Sequence, residues 1–357
     1  IDTFVQLHLG LGSFHRAHQA MYMQNLHDLG ATQWNIFAGN LRPDMLSTID
    51  ALRSQNNEYT LETIDSKGQH DYQRIKSIKS IIDWDKNLDG LTAVAANPST
   101  KIISFTVTEA GYYLDENNML DDNMPDLLRD LEGKTISTIY GALTKFLRAR
   151  MESNSGPVTL LNCDNLRSNG NRIKVALLDF IQRIGDQELQ DWVKINTSSP
   201  NSMVDRITPR PTPDVAERVR LNTGTTDDAA LMGESFTQWV IEDNFIAGRP
   251  AWERVEVTMV DDVEPYEEAK IRLLNATHSC IAWAGTLRGY EFIHQGLEDP
   301  EVRKLAYNYV TNDVIPCLSN NNHPSPVNLE QYRDIVLDRF SNPSIQDTNQ
   351  RVAMDAY

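Results

Sequence analysis

Short apolar runs alternate with amphipathic stretches through the first half of the chain, and this alternation constrains the fold more than any other feature. The apolar runs cover residues 5–9, 34–39, 101–108 and 158–163. Helical spacing of apolar residues predicts helices over residues 17–29, 44–54, 137–153 and 171–184. Strands separated by helices are typical of a parallel sheet covered on both faces. We therefore predict an α/β domain with a doubly wound, Rossmann-type sheet.

The pattern changes toward the C-terminus. Residues 59–64 and 71–81 are predicted to be additional strands, and residues 255–263 form the last predicted strand. From Tyr266 onward the apolar residues recur at helical spacing, and two further helices are predicted, over 298–316 and 328–340, with a polar loop over 318–327 between them. We place a domain boundary near residue 264. The first domain, 1–263, would be α/β and the second, 264–357, mostly α-helical.

Composition excludes several classes of partner and site. Fifty acidic residues against 33 Lys and Arg give a net charge of -17, which repels nucleic acid and anionic membrane surfaces. No apolar run reaches the roughly 18 residues that a membrane span needs. The three cysteines, Cys163, Cys280 and Cys317, are too few and too far apart for a disulfide framework or a Cys-rich zinc site. We expect a cytoplasmic protein that binds no metal.

The first strand is followed by the stretch GLGSFHR, residues 10–16. Gly10 and Gly12 match the first two positions of the dinucleotide fingerprint G-x-G-x-x-G, whereas His15 stands at the third. Glycines at a strand-to-helix turn let a pyrophosphate approach the backbone. Arg16 would add a positive charge beside the phosphates. An ordinary structural turn is the alternative for this stretch.

A carboxylate after the second strand would bind the ribose of a dinucleotide. That strand ends at Gly39, and Asp44 is the candidate. A role at the start of the following helix is the alternative interpretation of this acid. Arg42 nearby keeps a 2′-phosphate, and therefore NADP, open.

Polar residues follow the other predicted strands. Glu109 follows the strand over 101–108, and Asn165 follows the strand over 158–163. Because ligands of doubly wound sheets bind beyond the carboxyl ends of the strands, these side chains are candidates for a site. Glu109 could instead cap a turn. Asp205 and Arg206 are two further candidates. A buried ion pair between them is the alternative to a role in binding.

One predicted helix carries an unusual set of polar residues. Lys270, Asn275 and His278 fall within one sector of it and alternate with apolar residues. A Lys held in a partly dry pocket has a lowered pKa and can act as a general base. A polar network that is satisfied within the fold is the alternative.

Five blocks of the sequence together resemble the long-chain polyol dehydrogenase/reductase family, which includes the mannitol dehydrogenases. They are GLGSFHRAHQA (10–20), TVTEAGYY (106–113), NCDNLRSNG (162–170), NSMVDRITP (201–209) and KIRLLNATHS (270–279). Their order and spacing also agree with the family, and the resemblance extends over essentially the whole chain.

The resemblance implies a metal-independent, NAD-dependent oxidation of a polyol. Lys270 would be the general base, Asn165 and Asn275 would stabilise the developing oxyanion, and His278 would orient the substrate. The remaining implied roles are substrate binding by Asp205 and Arg351, a proton path through Glu109 and Glu267, and cofactor binding by Gly10, Gly12, Ser13, Phe14, Arg16 and Asp44.

Within the family, the chain looks most similar to members that oxidise D-arabinitol to D-xylulose, and oxidation of D-mannitol to D-fructose is expected as well. A mannitol 2-dehydrogenase, a hexuronate reductase and a dinucleotide-binding protein without turnover remain as alternatives. We expect a monomer whose only partner is a small polyol or ketose. The family pattern continues past Arg351 to a further lysine, whereas this chain ends at Tyr357. We therefore expect a shortened second domain or a fragment.

Overall fold

A six-stranded parallel sheet forms the centre of the molecule in the computed structural model, which describes residues 3–320 and 324–354. The strands in these described residues are β1 Phe4–Leu9, β2 Trp34–Gly39, β3 Tyr59–Ile64, β4 His70–Ile75, β5 Ile78–Ile81, β6 Thr100–Phe105, β7 Val158–Asn162, β8 Thr197–Ser198, β9 Ser202–Asp205, β10 Leu231–Glu234, β11 Gln238–Glu242 and β12 Thr258–Val260. The main sheet has the order β5-β2-β1-β6-β7-β8, and every neighbouring pair is parallel. Counted within this sheet alone, the order is 3-2-1-4-5-6, as in doubly wound dinucleotide-binding folds.

Helices cover both faces of this sheet, which explains why its strands are almost continuously apolar. Leu7, Ile36, Ile103 and Leu161 are all fully buried. The helices are α1 Ser13–Ala17, α2 Gln19–Asp28, α3 Leu46–Ser54, α4 Asp89–Ala95, α5 Pro125–Leu131, α6 Ile139–Glu152, α7 Asn169–Arg183, α8 Gln187–Asn196, α9 Pro213–Thr223, α10 Glu264–Ala269, α11 Ala276–Leu287, α12 Ile293–Glu298, α13 Pro300–Tyr309, α14 Ile315–Ser319, α15 Leu329–Phe340 and α16 Asn349–Met354.

Two small sheets flank the main one, with the orders β10-β3-β4 and β12-β11-β9. The strand predicted over 71–81 is in fact two strands: β4 pairs with β3, whereas β5 is the edge strand of the main sheet. The strand predicted over 255–263 is shorter in the structure and consists only of β12. Val255 belongs to a 3₁₀ turn over residues 252–255, and Glu256 after it has φ +69°. The helix predicted over 17–29 begins earlier and breaks at His18, which has φ −124° and ψ −87°.

The elements after residue 263 in the described part of the chain are all helical. Helix α10, a π-helical stretch over Lys270–Asn275, and α11 run without interruption as one long helix. Leu273, Ile281, Val310 and Val336 form part of the separate core of this region. The predicted fold class, a Rossmann-type sheet followed by a mostly helical domain, is confirmed, while the boundary near 264 stays a prediction. Residues 321–323 of the predicted polar loop lie outside the described residues. No helix in residues 3–320 and 324–354 is long and apolar enough to cross a bilayer.

One buried cation connects the segments that lead into two central strands of the sheet. Arg150, on α6, is fully buried, and its guanidinium donates hydrogen bonds to backbone carbonyls. Acceptors include the carbonyl oxygens of Ala95 at 2.6 Å, Thr100 at 3.0 Å and Gly156 at 2.9 Å. These carbonyls lie at the end of α4, the start of β6 and the turn before β7. A single side chain therefore fixes how two central strands begin.

We predict that Arg150→Met destabilises the fold by about 3 kcal/mol or more, because it leaves several buried carbonyls without a donor. Arg148→Met on the same helix is the matched control. Arg148 is partly exposed and pairs with Asp186 at 2.6 Å, so its loss costs about 1 kcal/mol or less. Urea unfolding at pH 7 measures both free energies. Equal losses for the two variants would contradict this account of Arg150.

Candidate active site

The two glycines of the turn between β1 and α1 differ in their surroundings. Gly10 has φ +115°, a conformation that side chains other than glycine rarely adopt, and its N–H donates to the Gly39 carbonyl at 2.8 Å. A Cβ added at Gly12 would meet no heavy atom within 4 Å, so that side of the turn is open. The N–H of Leu11 donates to Asn40 Oδ1 at 2.8 Å. The backbone of the turn is thus held by hydrogen bonds at Gly10 and Leu11 and is open to a ligand at Gly12.

A cavity of about 450 Å³, here called the turn cavity, opens beside this turn. Its lining includes Gly10, Asn40, Arg42 and Asp44. Asp44 is exposed, and Arg42 donates to the hydroxyl of Tyr113 at 3.2 Å. The buried Nδ2 of Asn40 has no hydrogen-bond partner in the described residues. An exposed carboxylate, an open glycine turn and an unsatisfied amide suit the adenosine and phosphate end of a dinucleotide.

The residue at the third glycine position packs beneath the turn. His15 is 1% exposed and its ring stacks on His8 with centroids 3.5 Å apart. His18 is also buried, and Phe14 stacks on it at 4.9 Å. Burial lowers the pKa of His15 and of His18 to about 3. These imidazoles are therefore neutral core residues, and the helix entry is filled by aromatic packing instead of by close approach of a glycine.

Arg16 occupies a different place from the one we expected. It is 2% exposed, its Nη1 donates to the Ala229 carbonyl at 2.8 Å, and its guanidinium lies over the ring of Tyr59. The expected charge beside the phosphates is instead used inside the fold, where it joins α1 to the segment before β10. Helical periodicity could not reveal this, because both partners are distant in sequence.

A second cavity, of about 550 Å³, lies at the carboxyl ends of β6 and β7 and is here called the strand-end cavity. Its lining includes Phe14, Glu109, Asn165 and Val204, and residues 106–108 line both this cavity and the turn cavity. Glu109 and Asn165 are exposed. The two cavities therefore adjoin along the end of β6, as an extended two-part ligand requires.

Asp164 is the buried acid of this cavity. It accepts a hydrogen bond from the hydroxyl of Tyr112 and another from the N–H of Leu166. Burial raises the pKa of Asp164 to about 6, against the opposing effect of these hydrogen bonds. The pair fixes the loop that follows β7 and so positions Asn165.

Lys270 contacts two residues that line the strand-end cavity, Asn165 and Val204. It is half-buried, and its Nζ donates to Asn165 Oδ1 and to the Val204 carbonyl, both at 2.6 Å. Burial lowers the pKa of Lys270, Asp205 opposes that shift, and Arg339 adds to it. An amine with a lowered pKa next to an amide is suited to accept a proton.

The helix that carries Lys270 is widened at this point. The stretch Lys270–Asn275 is π-helical, so its hydrogen bonds join residues five apart and place Asn275 one turn above Lys270. The α-helical spacing assumed from the sequence separates these two residues by roughly 140°. Because a π-helical turn holds more residues than an α-helical turn, it places residues five apart closer to one face of the helix than the sequence predicted. Asn275 is exposed and its amide is available to a ligand.

A third cavity, of about 1020 Å³, lies between the sheet domain and the helices and is here called the domain cavity. Its lining includes Asp205, His278, Arg339, Asp347 and Arg351. His278 Nε2 lies 3.4 Å from Asp347 Oδ2, and its ring stacks on Phe340 at 4.3 Å. Arg351 Nε donates to Asp347 Oδ1 at 2.7 Å. Asp347 therefore orients both His278 and Arg351 in this cavity.

Asp205 has a partner that the sequence did not indicate. Its carboxylate pairs with Arg339 of α15 through two hydrogen bonds of 2.9 Å. Arg206 instead donates to backbone carbonyls, those of Glu234 at 2.9 Å and Ala17 at 2.6 Å. The alternative of an Asp205–Arg206 ion pair is therefore wrong, because Asp205 pairs with Arg339 instead.

Glu267 lies one helical turn before Lys270 and is buried. Its Oε1 accepts the N–H of Ser168 at 3.1 Å, and burial raises the pKa of its carboxyl. This links the Lys270 helix to the loop that carries Asn165.

Sequence reasoning missed two residues of the site. Asn40 directly follows β2, a position that could have drawn attention in the same way as Asn165. Arg339 had no signal, because it is one of several arginines on a helix and its acidic partners come from two distant strands. In the described part of the chain no three His, Cys, Asp or Glu side chains are grouped so that they could hold a metal ion.

Comparison with known proteins adds sequence relatives to this geometry. The model of the mannitol dehydrogenase Rossmann domain matches residues 5–254, and that of the mannitol dehydrogenase C-terminal domain matches residues 262–357. A D-arabinitol 4-dehydrogenase of Ralstonia nicotianae is 54% identical over 99% of this chain and 75% of its own length. A D-arabinitol 4-dehydrogenase of Klebsiella pneumoniae is 51% identical over 100% of this chain and 77% of its own length.

A solved structure agrees with these relatives. The mannitol 2-dehydrogenase of Pseudomonas fluorescens, in a ternary complex with NAD and D-mannitol, superposes with a TM-score of 0.87. It is 35% identical, over 98% of this chain and 71% of the other. The resemblance inferred from the five sequence blocks is confirmed, and so is the prediction of an enzyme of this kind. The chain belongs to the mannitol dehydrogenase family.

Proposed function

We propose that this chain is an NAD-dependent polyol dehydrogenase that oxidises D-arabinitol to D-xylulose without a metal. The observation that carries the proposal is the Lys270 amine, held at 2.6 Å by Asn165 and by the Val204 carbonyl, two residues that line the strand-end cavity. The names of the relatives at 54% and 51% identity favour D-arabinitol. The structural neighbour solved with NAD and D-mannitol favours NAD as the cofactor.

The two adjoining cavities are the proposed NAD site. The open turn at Gly10 and Gly12, with Ser13 at the start of α1, would receive the pyrophosphate, and Asp44 would bind the adenosine ribose. Phe14 and Glu109 line the strand-end cavity and would contact the other half of the cofactor. When bound, NAD supplies the hydride acceptor for the carbinol carbon of the substrate.

The proposed proton acceptor is the neutral amine of Lys270. It would take the proton of the substrate hydroxyl as the carbon–oxygen bond becomes a carbonyl. Because Lys270 donates to Oδ1 of Asn165, the Nδ2 amide of Asn165 remains available to donate to the substrate oxygen. Asn275, one π-helical turn above Lys270, supplies a second amide. Two donors aimed at a developing negative charge stabilise it in the transition state.

The domain cavity is the proposed polyol site. His278, oriented by Asp347, and Arg351 would hydrogen-bond the substrate hydroxyls, and Asp205 would bind on the opposite wall. Glu267, which is buried one helical turn before Lys270, is the proposed acceptor of the proton from Lys270. These polar groups converge from the sheet domain and from the helices, so the substrate would be enclosed between the two.

Oxidation of D-mannitol to D-fructose is proposed as a second activity of the same site. A mannitol 2-dehydrogenase or a hexuronate reductase would use the same residues, so initial rates with arabinitol, mannitol, xylitol and sorbitol decide among them. A dinucleotide-binding protein without turnover would bind NAD and yield no NADH from any polyol. The monomeric state and the cytoplasmic location stay predictions.

We predict that Lys270→Ala lowers kcat for arabinitol oxidation by roughly 10²- to 10⁴-fold, the usual effect of losing an acid–base group. Lys174→Ala is the control, because Lys174 is exposed on α7, away from the cavities described above. NADH formation at 340 nm measures both rates. Near-normal turnover of Lys270→Ala would remove Lys270 from the role of base.

We predict that Asp44→Ala weakens NAD binding and raises the preference for NADP. The substitution removes the proposed ribose ligand and one negative charge from the turn cavity, where Arg42 would then attract a 2′-phosphate more strongly. Asp50→Ala, an exposed acid on the following helix, is the control for the loss of one negative charge. The ratio of kcat/KM with NAD to kcat/KM with NADP is the readout. If the ratio is the same in Asp44→Ala as in the control, the ribose is bound elsewhere.

A further inference from the structure

Arg339 is the most heavily bonded buried charge near the proposed base. It is 5% exposed and comes from α15, in the helical domain, although both of its carboxylate partners belong to the sheet domain. Its Nη1 and Nη2 each bind one oxygen of Asp205 at 2.9 Å, and its Nη2 and Nε bind Glu234 at 2.6 and 3.1 Å. The guanidinium also lies over the Phe236 ring, 4.0 Å from its centroid.

This ion pair lies next to the Lys270 amine. Asp205 directly follows Val204, whose carbonyl accepts a hydrogen bond from Lys270. Asp205 is the residue directly after that acceptor in the sequence, yet both of its carboxylate oxygens are bonded to Arg339. The hydrogen bonds that Lys270 makes in the described residues go instead to two neutral oxygens, those of Asn165 and Val204. A carboxylate that could pair with the amine is thus held by a competing cation.

Several other charged or titratable groups act on this region. Glu267 lies on the same helix as Lys270 and favours its protonated form, as does Asp205. His18, from the β1 side, is neutral because burial lowers its pKa to about 3. The remaining titratable groups around the Asp205 ion pair are Tyr22, Arg206, Glu234 and Tyr332. Two carboxylates therefore favour the ammonium form of Lys270, and Arg339 is the principal cation that opposes them.

We propose that Arg339 is a positioning residue for the reaction: by holding both oxygens of Asp205, it keeps that carboxylate from pairing with Lys270 and leaves the amine between neutral acceptors. This inference rests on the proposed role of Lys270 as the base. Without Arg339, Asp205 turns toward Lys270 and forms a buried ion pair. The amine then keeps its proton to a higher pH and cannot accept one from the substrate.

The test is the pH dependence of kcat for arabinitol oxidation, at saturating polyol and NAD, in Arg339→Met and Arg339→Lys. For Arg339→Met we expect the acidic limb to move up by about one pH unit or more, which lowers the rate roughly tenfold at a pH below the limb and restores it at high pH. For Arg339→Lys, which keeps the charge with fewer hydrogen bonds, we expect a smaller shift. An unmoved limb, or a rate reduced equally at every pH, would overturn the proposal.

A double variant separates positioning from a merely structural role. Asp205→Asn combined with Arg339→Met removes the freed carboxylate, so the acidic limb should return toward its wild-type position even if kcat itself stays low. A structural role predicts no such return. This arm also tests the proposal if Arg339→Met alone does not fold, since the double variant buries no unpaired charge at this ion pair except that of Glu234.

Two controls complete the design. Glu234→Gln removes the other carboxylate of the network but leaves Asp205 held, so the limb should not move. Arg333→Met, on the same helix, removes an arginine paired with Asp334 at 2.9 Å and should also leave the limb in place. Thermal unfolding of each variant reports the loss of stability separately. Near-normal turnover in Lys270→Ala would overturn the proposed function itself, whereas an unmoved limb in Arg339→Met with an inactive Lys270→Ala would overturn only the role of Arg339.

Discussion

The contact of Lys270 with the ends of two strands holds the candidate site together. Its amine comes from a helix of the second domain, and its two acceptors, Asn165 and the Val204 carbonyl, follow β7 and belong to β9. Because one donor bridges both, the helices after residue 263 are held against the edge of the sheet at which the strand-end cavity lies. The Arg339 ion pair with Asp205 makes a second bridge at the same edge. Chemistry and domain arrangement therefore depend on the same few polar groups.

The sequence predicted the four central strands of the main sheet, β1, β2, β6 and β7, because they are buried on both faces and largely apolar. It did not predict the two-residue edge strand β8. It predicted the two small sheets less well. The run 71–81 contains no Gly or Pro that would mark a break, yet β4 and β5 in that run belong to different sheets. Which neighbour a strand pairs with depends on contacts between distant residues, and periodicity carries no information about them. The short helices α4 and α5 were not predicted either, since seven residues are too few to show a clear helical period.

The candidate site could be predicted where it follows strand ends, and the positions of Glu109 and Asn165 show this. Arg16 and Arg339 show the limit of that reasoning. Both are arginines on helices, and what each one does depends on partners more than a hundred residues away in sequence: Ala229 for the first, Asp205 and Glu234 for the second. A sequence pattern reveals that such a residue is present, but the fold decides whether its charge faces a cavity or the interior.

The π-helical stretch at Lys270 also determines in which direction each side chain of the following helix, α11, points. One additional residue in a turn rotates the rest of a helix by roughly 100° relative to an uninterrupted α-helix. The stacking of His278 on Phe340 and the burial of Ile281 belong to this rotated phase. Removing one residue from the wide turn would therefore leave each half of the helix intact while turning its second half away from its neighbours. The length of this short segment specifies which face of a 24-residue helix faces the domain cavity.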